Sequence, residues 1–481
     1  MDSLKNLFEN LTLGADEISA LESENGSIPS LTRSKFMRYF SDGVRVEYEN
    51  EYFLKRRRLA ARFMLCKADF DKYISELCDI ILSICGEFTW ALPAHISVPE
   101  NAGTEIDLFA AETAQTLAEI KYLMGDTLPS AISDRISREI EKRVITPFET
   151  GTFSWERSGS NWAAVCGGCV GMTLMYEKPE AFEKNRERLK HVMTSYLNGF
   201  YADGACREGL SYWTYGFGYF MYFVRAYEEY SGDKNTVAGI KKIRNIARFQ
   251  QNMYLGGGSA VSFSDSSREF TYQPALAALI NEHFGFSVPD GKFASRFDEC
   301  SRFAHFVRSY LWRDTKICGG ENADFCYYEN SQWYINKKSA YSFAAKGGDN
   351  GESHNHNDIG SFIISVRGEQ ALVDFGAGEY TRDYFSDKRY VNLVCSSLGH
   401  SVPIIDGGGQ ETGEEFRAER AKGDENTFAL DISGAYKRGE IFRKFDLAEN
   451  FVTLTDTIKF HGSVHTVKER FVTLAPPVMR D

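Results

Sequence analysis

No run of apolar residues in this 481-residue chain approaches the roughly 20 needed to cross a bilayer, which excludes an ordinary membrane-spanning helix. The N-terminal "MDSLKNLFENLTLG" has no basic patch followed by an apolar stretch, so no secretory leader is read there. Basic charge is in deficit, with 55 Lys and Arg against 67 Asp and Glu and a net charge of −12. That argues against nucleic acid as the main partner, because phosphate binding needs a basic footprint. An anionic sugar is still allowed, since a few cations can dominate one cleft. The ten cysteines form no paired framework, and several lie in helix-like apolar patterns such as "YISELCDIILSIC". There, buried thiols act as small hydrophobes, and a reducing cytoplasm is the expected home unless a leader has been removed. The lone "CGGC" (Cys166 to Cys169) has no second pair and reads as small-residue helix packing. No repeat of fixed period is found, which weighs against a solenoid.

What is present is an abundance of rings: 25 Tyr and 36 Phe bring the aromatic share to 14%. Large helical cores use such residues before carbohydrate clefts do. At this length two domains are expected. Residues 1–322 read as helical. Ile74, Leu77, Ile81, Ile84 and Phe88 keep helical spacing, as do Ala114, Leu117, Ile120 and Leu123. Further periodic stretches cover 164–176, 180–199, 209–231, 235–254 and 273–284. Joined by short turns, these predict stacked helical hairpins. Residues 323–481 change texture to short β-branched and aromatic runs: "QWYI", "YSFAAK", "SFIISV", "QALVDFG", "TFALDIS", "FVTLTDTIKF" and "RFVTL". In "FVTLTDTIKF", Val452, Leu454, Ile458 and Phe460 share one face, interrupted by Asp456, as in an antiparallel sheet packed on one side. An all-α domain followed by a β-sandwich is predicted, with the cleft at their junction. Few strands follow the boundary, so a shortened C-terminus is expected.

The chemistry-bearing stretch is "SHNHNDIGSF" at 353–362, where His354, His356 and Asp358 lie two residues apart. As a strand entrance it would put both histidines on one face. Asp374 in "LVDFGAG" and His400 in "SLGHSVPIIDG" are further ligand types; two imidazoles and a carboxylate suit Zn²⁺, with manganese as the alternative. In the helical half, "SGSNWAAVCGG" places Asn161 and Trp162 where a helix starts; an N-cap is the plain reading. "YADGACREGLSYWTYGFGYF" carries Arg207 and Glu208 ahead of Tyr212 and Tyr215, which are three apart on one helix face. That stretch reads either as core or as a polar cleft wall.

Five pieces in this order, "SNW", "DGACREGLSYWTYG", "SHNHNDIGSF", "LVDFGAG" and "GHSVPIIDG", resemble the heparinase II/III-like polysaccharide lyases. They anchor roughly residues 155–410. The resemblance implies an incomplete α/α toroid followed by an antiparallel β-sandwich, and a β-elimination on a uronic-acid glycan. Such a reaction removes the C5 proton alpha to the carboxylate and expels the oxygen at C4. It needs a group to neutralise the carboxylate, a base, and an acid for the leaving oxygen. The resemblance assigns Asn161 as the neutralising amide, Tyr212 (Tyr215 as fallback) as acid and, for one epimer, base. It assigns His354 as base for the other epimer or as a partner that polarises the acid, and His356, Asp374 and His400 as holders of a structural metal. Arg207, Glu208 and Arg389 are expected to bind the substrate carboxylate or support groups that do. Parts of the family carry a His after the neutralising Asn; Trp162 stands there in this chain, which favours sugar stacking.

A glycosaminoglycan such as chondroitin, hyaluronan or heparan sulfate is the favoured substrate, with alginate or oligoalginate as the alternative. A metal-dependent glycan hydrolase using His354, His356, Asp374 and His400 as ligands of a catalytic metal, and a non-enzymatic carbohydrate-binding protein, are the competing classes. Only elimination makes a conjugated double bond.

Overall fold

The computed structural model describes residues 2–313, 317–319, 323–436, 439–460, 462–463 and 466–475. The principal helices are α1 (Val46–Leu65), α2 (Phe70–Cys85), α3 (Leu108–Met124), α4 (Asn161–Glu177), α5 (Pro179–Asn198), α6 (Leu210–Ser231), α7 (Pro274–Phe284) and α8 (Phe303–Leu311). Asp69 and Asp107 cap α2 and α3, accepting from the backbone N–H of Lys72 and Ala110. The stretch read as one helix over 235–254 is two short ones, Lys241–Ala247 and Phe249–Met253.

Helix α4 is the hub of the helical half, packed against α3, α5 and α6. Its sequence shows why. A Cβ added at Gly167 would lie 2.6 Å from Val192 of α5, and one at Gly171 would lie 2.4 Å from the Phe223 ring of α6. The small residues of "CGGCVG" therefore let three helices close on one axis, and Cys166 and Cys169 are buried free thiols within that contact, as the sequence indicated.

Apart from a short antiparallel pair in the helical half (Tyr254–Gly256 with Ser259–Ala260), the strands begin at Phe325. Five of them, β1 (Phe325–Tyr328), β2 (Trp333–Lys337), β3 (Ser342–Lys346), β4 (Phe362–Val366) and β5 (Glu369–Leu372), form one antiparallel sheet in sequence order. Four more, β6 (Glu419–Gly423), β7 (Thr427–Asp431), β8 (Gly439–Leu447) and β9 (Val452–Phe460), form a second. The two stack as a sandwich through rings: Tyr334 on Phe428 at 5.0 Å, Phe343 on Phe445 at 5.1 Å and Phe362 on Phe445 at 5.0 Å. The first sheet's opposite face packs on the helical half, where Trp333 meets Phe249 and Phe263. Buried on both faces, β3 has no exposed position, which is why "YSFAAK" lacks alternation. In β9 the predicted face is the half-buried one, and the interrupting Asp456 pairs with the buried Arg443 of β8 at 2.6 Å.

Two expectations of strand structure fail. "RFVTL" makes no strand: the Val472 carbonyl accepts from the Val373 N–H, and the Val472 N–H donates to the Ser401 hydroxyl. The segment 353–361 is a loop, with β4 starting only at Phe362. The expected domain boundary at 322/323 falls between α8 and the first strand of the sandwich, β1; residue 322 and the final 476–481 lie outside the described residues. Among the described residues no helix is long and apolar enough to cross a membrane.

Candidate active site

The site is organised by a residue with no helical or strand periodicity around it. Asp265 sits in the serine-rich loop "SFSDSS" of the helical half, wholly buried at 2% exposure. The serines stitch that loop in place. Ser264 Oγ donates to the Arg207 carbonyl (2.9 Å), Ser266 Oγ accepts from the Ser211 N–H (3.3 Å), and Ser262 Oγ donates to the Asp374 carbonyl (2.9 Å). The loop is thus bonded both to the start of α6 and to the sandwich.

Five side chains of the sandwich half converge on the Asp265 carboxylate. Oδ2 receives His354 Nδ1 at 2.8 Å and Tyr380 Oη at 3.1 Å. Oδ1 receives His356 Nε2 at 3.1 Å, Arg389 Nη2 at 3.0 Å, and Tyr384 Oη. Burial alone would raise this carboxyl; the hydrogen bonds from His354 and His356 and the Arg389 charge outweigh it and hold it well below the ordinary carboxylate range. An ionised acceptor fixes the proton of His354 on Nδ1 and leaves Nε2 with its lone pair.

The histidines therefore converge for a reason other than strand alternation. His354 adopts a left-handed conformation (φ 58°), and the two imidazoles meet at opposite oxygens of one carboxylate. The loop holds its shape through Asn355, whose carbonyl accepts from Arg389, and Asn357, whose amide donates to the Gln410 carbonyl and Thr412.

Tyr212, in the first turn of α6, stacks on His354 with ring centroids 4.1 Å apart. Its hydroxyl is 2.8 Å from that of Tyr380. Since Tyr380 must donate to Asp265, Tyr212 donates to Tyr380. Burial pushes the Tyr212 phenol up, so it keeps its proton. Beside it opens a cavity of about 270 Å³ lined by Ser158 to Asn161, Tyr196, Gly199, Phe200, Ala205 to Glu208, Tyr212, Glu352 and Ser353. Asn161 is the first residue of α4, and its side-chain amide has no hydrogen-bond partner among the described residues. Ser160, the N-cap, makes no side-chain cap, which leaves the first N–H groups of a 17-residue helix for a ligand. Arg207 pairs with Glu352 at 3.0 Å across the two halves. Burial pushes the Glu352 carboxyl up to about 7 against the opposing charges of Arg207 and Lys346, and raises Glu208 as well.

Asn161, Tyr212, His354, Arg207 and Glu208 are thus gathered at one junction; Tyr215 and Trp162 are not, and Arg389 belongs to the junction only through Asp265. Tyr215 points into the helical core, bonded to Glu112 beneath the Arg302 guanidinium, 3.6 Å from its ring centre. A shared helix face gave no means of separating it from Tyr212; burial does. Trp162 packs edge-on against His95 at 4.9 Å and is not among the cavity's lining residues. Arg389 is buried and spends its donors on Asp265, Asn355 and Tyr384, so it supports the carboxylate rather than meeting a substrate. Sequence reasoning missed Asp265, Glu352, Tyr380 and Tyr384; the only advance signal was polar density, "SFSDSS" within an apolar region and the rings of "EYTRDYF".

Next to this cluster, His356, Asp358 and His400 bring one ligand atom each within 4.8 Å of one another, all buried. His356 Nδ1 has no hydrogen-bond partner among the described residues. His400 Nε2 donates to the Val394 carbonyl at 2.9 Å, leaving its Nδ1, which lies 3.0 Å from Asp374 Oδ2. Each imidazole thus has one nitrogen oriented by a protein acceptor and the other turned to the cluster, the pattern of histidine ligands with their supports. The donor set fits a divalent ion. The carboxylate grouped with the two imidazoles is Asp358, paired by charge with Lys346 at 2.8 Å, whereas the predicted Asp374 adjoins His400 at 3.0 Å outside that group.

Residues 321–461 match the family model described as Heparinase II/III-like, C-terminal. No curated protein matches the chain in sequence. Solved structures share its fold throughout. A heparinase III gene product with methylated lysines aligns over 98% of this chain and 75% of its own, at TM-score 0.63 and 14% identity. The heparan sulfate lyase HepC from Pedobacter heparinus aligns over 93% and 74%, at TM-score 0.54 and 14% identity. A chondroitin AC lyase of Streptomyces coelicolor A3, solved with chondroitin sulphate, aligns over 96% and 70%, at TM-score 0.50 and 9% identity. Residues 321–461 thus resemble the C-terminal part of heparinase II/III-like proteins, and the whole chain shares the helical-then-sandwich fold of these solved structures.

If Asp265 is the anchor of this junction, Asp265→Asn leaves the Arg389 guanidinium buried and unpaired, an expected loss of about 3–5 kcal/mol. Denaturant unfolding of the variant measures it; stability equal to the parent would contradict the assignment.

Proposed function

We propose that this protein is a polysaccharide lyase that cleaves a uronic-acid glycan by β-elimination, with a glycosaminoglycan as the favoured substrate. The observation that carries the reading is that an unpaired amide (Asn161) and a protonated phenol (Tyr212) line one cavity while an imidazole with a free nitrogen (His354) stacks on that phenol beside it. The glycans named for the structurally similar lyases support the glycosaminoglycan preference.

The chemistry follows from what each group offers. The uronate carboxylate docks at the start of α4, where the Asn161 amide and the free N–H groups of the first turn oppose its charge. That charge must be countered for the C5 proton to become acidic, and the same donors stabilise the enolate-like intermediate. His354 Nε2 takes the proton; Asp265 holds the ring and stabilises the imidazolium that forms. Tyr212, which keeps its proton through burial, supplies it to the departing O4. Arg207, between Glu352 and the cavity, adds a positive charge at the carboxylate end.

A divalent ion, zinc or manganese, held by His356 and His400 with Asp374 or Asp358, would supply rigid coordination to the loop that carries His354. Metal-stripped protein is then expected to melt at lower temperature than zinc-reconstituted protein, with His356→Ala abolishing the difference. Unchanged melting after verified removal would contradict the ion's structural role.

Incubation with hyaluronan, chondroitin, heparan sulfate and alginate, followed by near-ultraviolet absorbance, reads the conjugated double bond that hydrolysis cannot make. On the substrate cleaved, Tyr212→Phe and His354→Ala are expected to lower kcat by about 10²–10⁴-fold. Tyr215→Phe is expected to keep kcat near the parent value. Absence of any unsaturated product across uronic-acid glycans, or full activity in His354→Ala, would refute the proposal.

A further inference from the structure

The cavity beside Tyr212 is enclosed by a continuous circuit of contacts, and the circuit bears on how a glycan enters. Asn161 lies against Gly216 of α6, where an added Cβ would sit 3.0 Å from the Asn161 Cβ. Along α6 comes Tyr212, stacked on His354. The chain then runs through Ser353 to Glu352, which is paired with Arg207. From Arg207 the backbone leads back through Cys206 and Ala205 to Phe200 and Gly199. Gly199 touches the backbone of Gly159 so closely that a Cβ on it would lie 1.8 Å from the Gly159 carbonyl oxygen. Residues 159–161 close the loop.

Tyr196, which is not a link of the circuit, is buried and lines the cavity with Ala205 and Cys206. The Tyr196 hydroxyl is buried without a hydrogen-bond partner among the described residues. An unpaired buried hydroxyl on a residue that lines a polar cavity calls for a partner, and a ligand's own hydroxyl can supply one. The volume, about 270 Å³, falls just under the roughly 300–1,000 Å³ of pockets for drug-sized ligands. That is room for the end of a sugar chain, not for a run of it. A groove cut for the middle of a polysaccharide needs two open ends, and here backbone packing and covalent chain close all but two links of the ring. Those two are the Tyr212–His354 stack, which belongs to the chemistry, and the Arg207–Glu352 ion pair, which bridges the helical and sandwich halves.

Resting on the lyase reading above, we infer that this protein works from chain ends: it is an exolytic lyase whose cup takes one terminal portion of the glycan, with Tyr196 bonding the terminal sugar and the Arg207–Glu352 bridge barring passage of the chain.

The test uses the full chain and long, size-defined, end-labelled oligosaccharides prepared from chondroitin, hyaluronan, heparan sulfate and alginate, with products sized by mass spectrometry from the earliest time points. Exolytic action is expected to release unsaturated mono- or disaccharides alone from the start, while the remaining substrate shortens stepwise. An early ladder of intermediate sizes bearing unsaturated ends would overturn the inference and leave the lyase reading standing. No unsaturated product from any of the four would sink the lyase reading, and this inference with it. Glu352→Ala, which removes the bridge, is expected to add longer products to the early pattern. Tyr196→Phe, which keeps the ring and its volume, is expected to raise KM with little change in kcat. A Glu352→Ala pattern identical to the parent, or an unchanged KM in Tyr196→Phe, would contradict the parts assigned to those residues.

Discussion

A single buried carboxylate joins the two halves of this molecule at the place where chemistry is possible. Asp265 comes from the helical half, and all five of its side-chain partners come from the sandwich. A charge without water is costly unless it is paired and hydrogen-bonded, and here Arg389 supplies the charge while two imidazoles and two phenols fill the oxygens. The arrangement is demanding in both directions. The helical loop must present the carboxylate, and the sandwich loops must bring five donors within about 3 Å of it. Little else in the junction needs to be rigid by itself once that condition is met.

The sandwich can meet it because its first sheet is buried twice. One face stacks aromatic rings on the second sheet, and the other rests on the helical half through Trp333. The loop between β3 and β4 leaves this doubly anchored sheet carrying Glu352, His354, His356 and Asp358. On the opposing side, α4 and α6 approach closely because their contact is built from glycine, and that approach sets Asn161 next to the helix that carries Tyr212. Packing of small residues in the helical core and burial of a sheet in the sandwich thus end in the same few ångströms.

Much of this was legible in the chain. Helical spacing located α2 to α7 within a few residues, and the change from period 3.6 to short β-branched runs marked where the strands begin. The small-residue reading of "CGGC" held because glycine at 167 and 171 is a packing statement. Asn161, Tyr212 and His354 were found through ordered motifs, whose residues the fold brings to one cavity and one ring stack. What escaped depended on non-local partners. Asp265 lies in a loop of no period, and its importance comes from residues 89 to 124 positions further along the chain. Tyr215 stayed open as a fallback for the same reason: a side chain's type and helical face do not tell whether its partner is a substrate or a buried Glu112, and of the two parts left open for Arg389 the fold shows the supporting one, at Asp265. The histidine pair was placed on a strand because alternation is the simplest way to align two side chains, whereas the fold uses a left-handed residue and a shared acceptor.

A double-mutant cycle on turnover measures directly whether Asp265 acts through His354. With Asp265→Asn, His354→Ala and the double variant compared on the glycan that is cleaved, and folded fractions matched by unfolding curves, the double variant is expected to be no slower than His354→Ala alone, since the carboxylate has no ring left to hold. Losses that multiply would mean that the two residues act independently, and the carboxylate-centred junction would not be the origin of the chemistry.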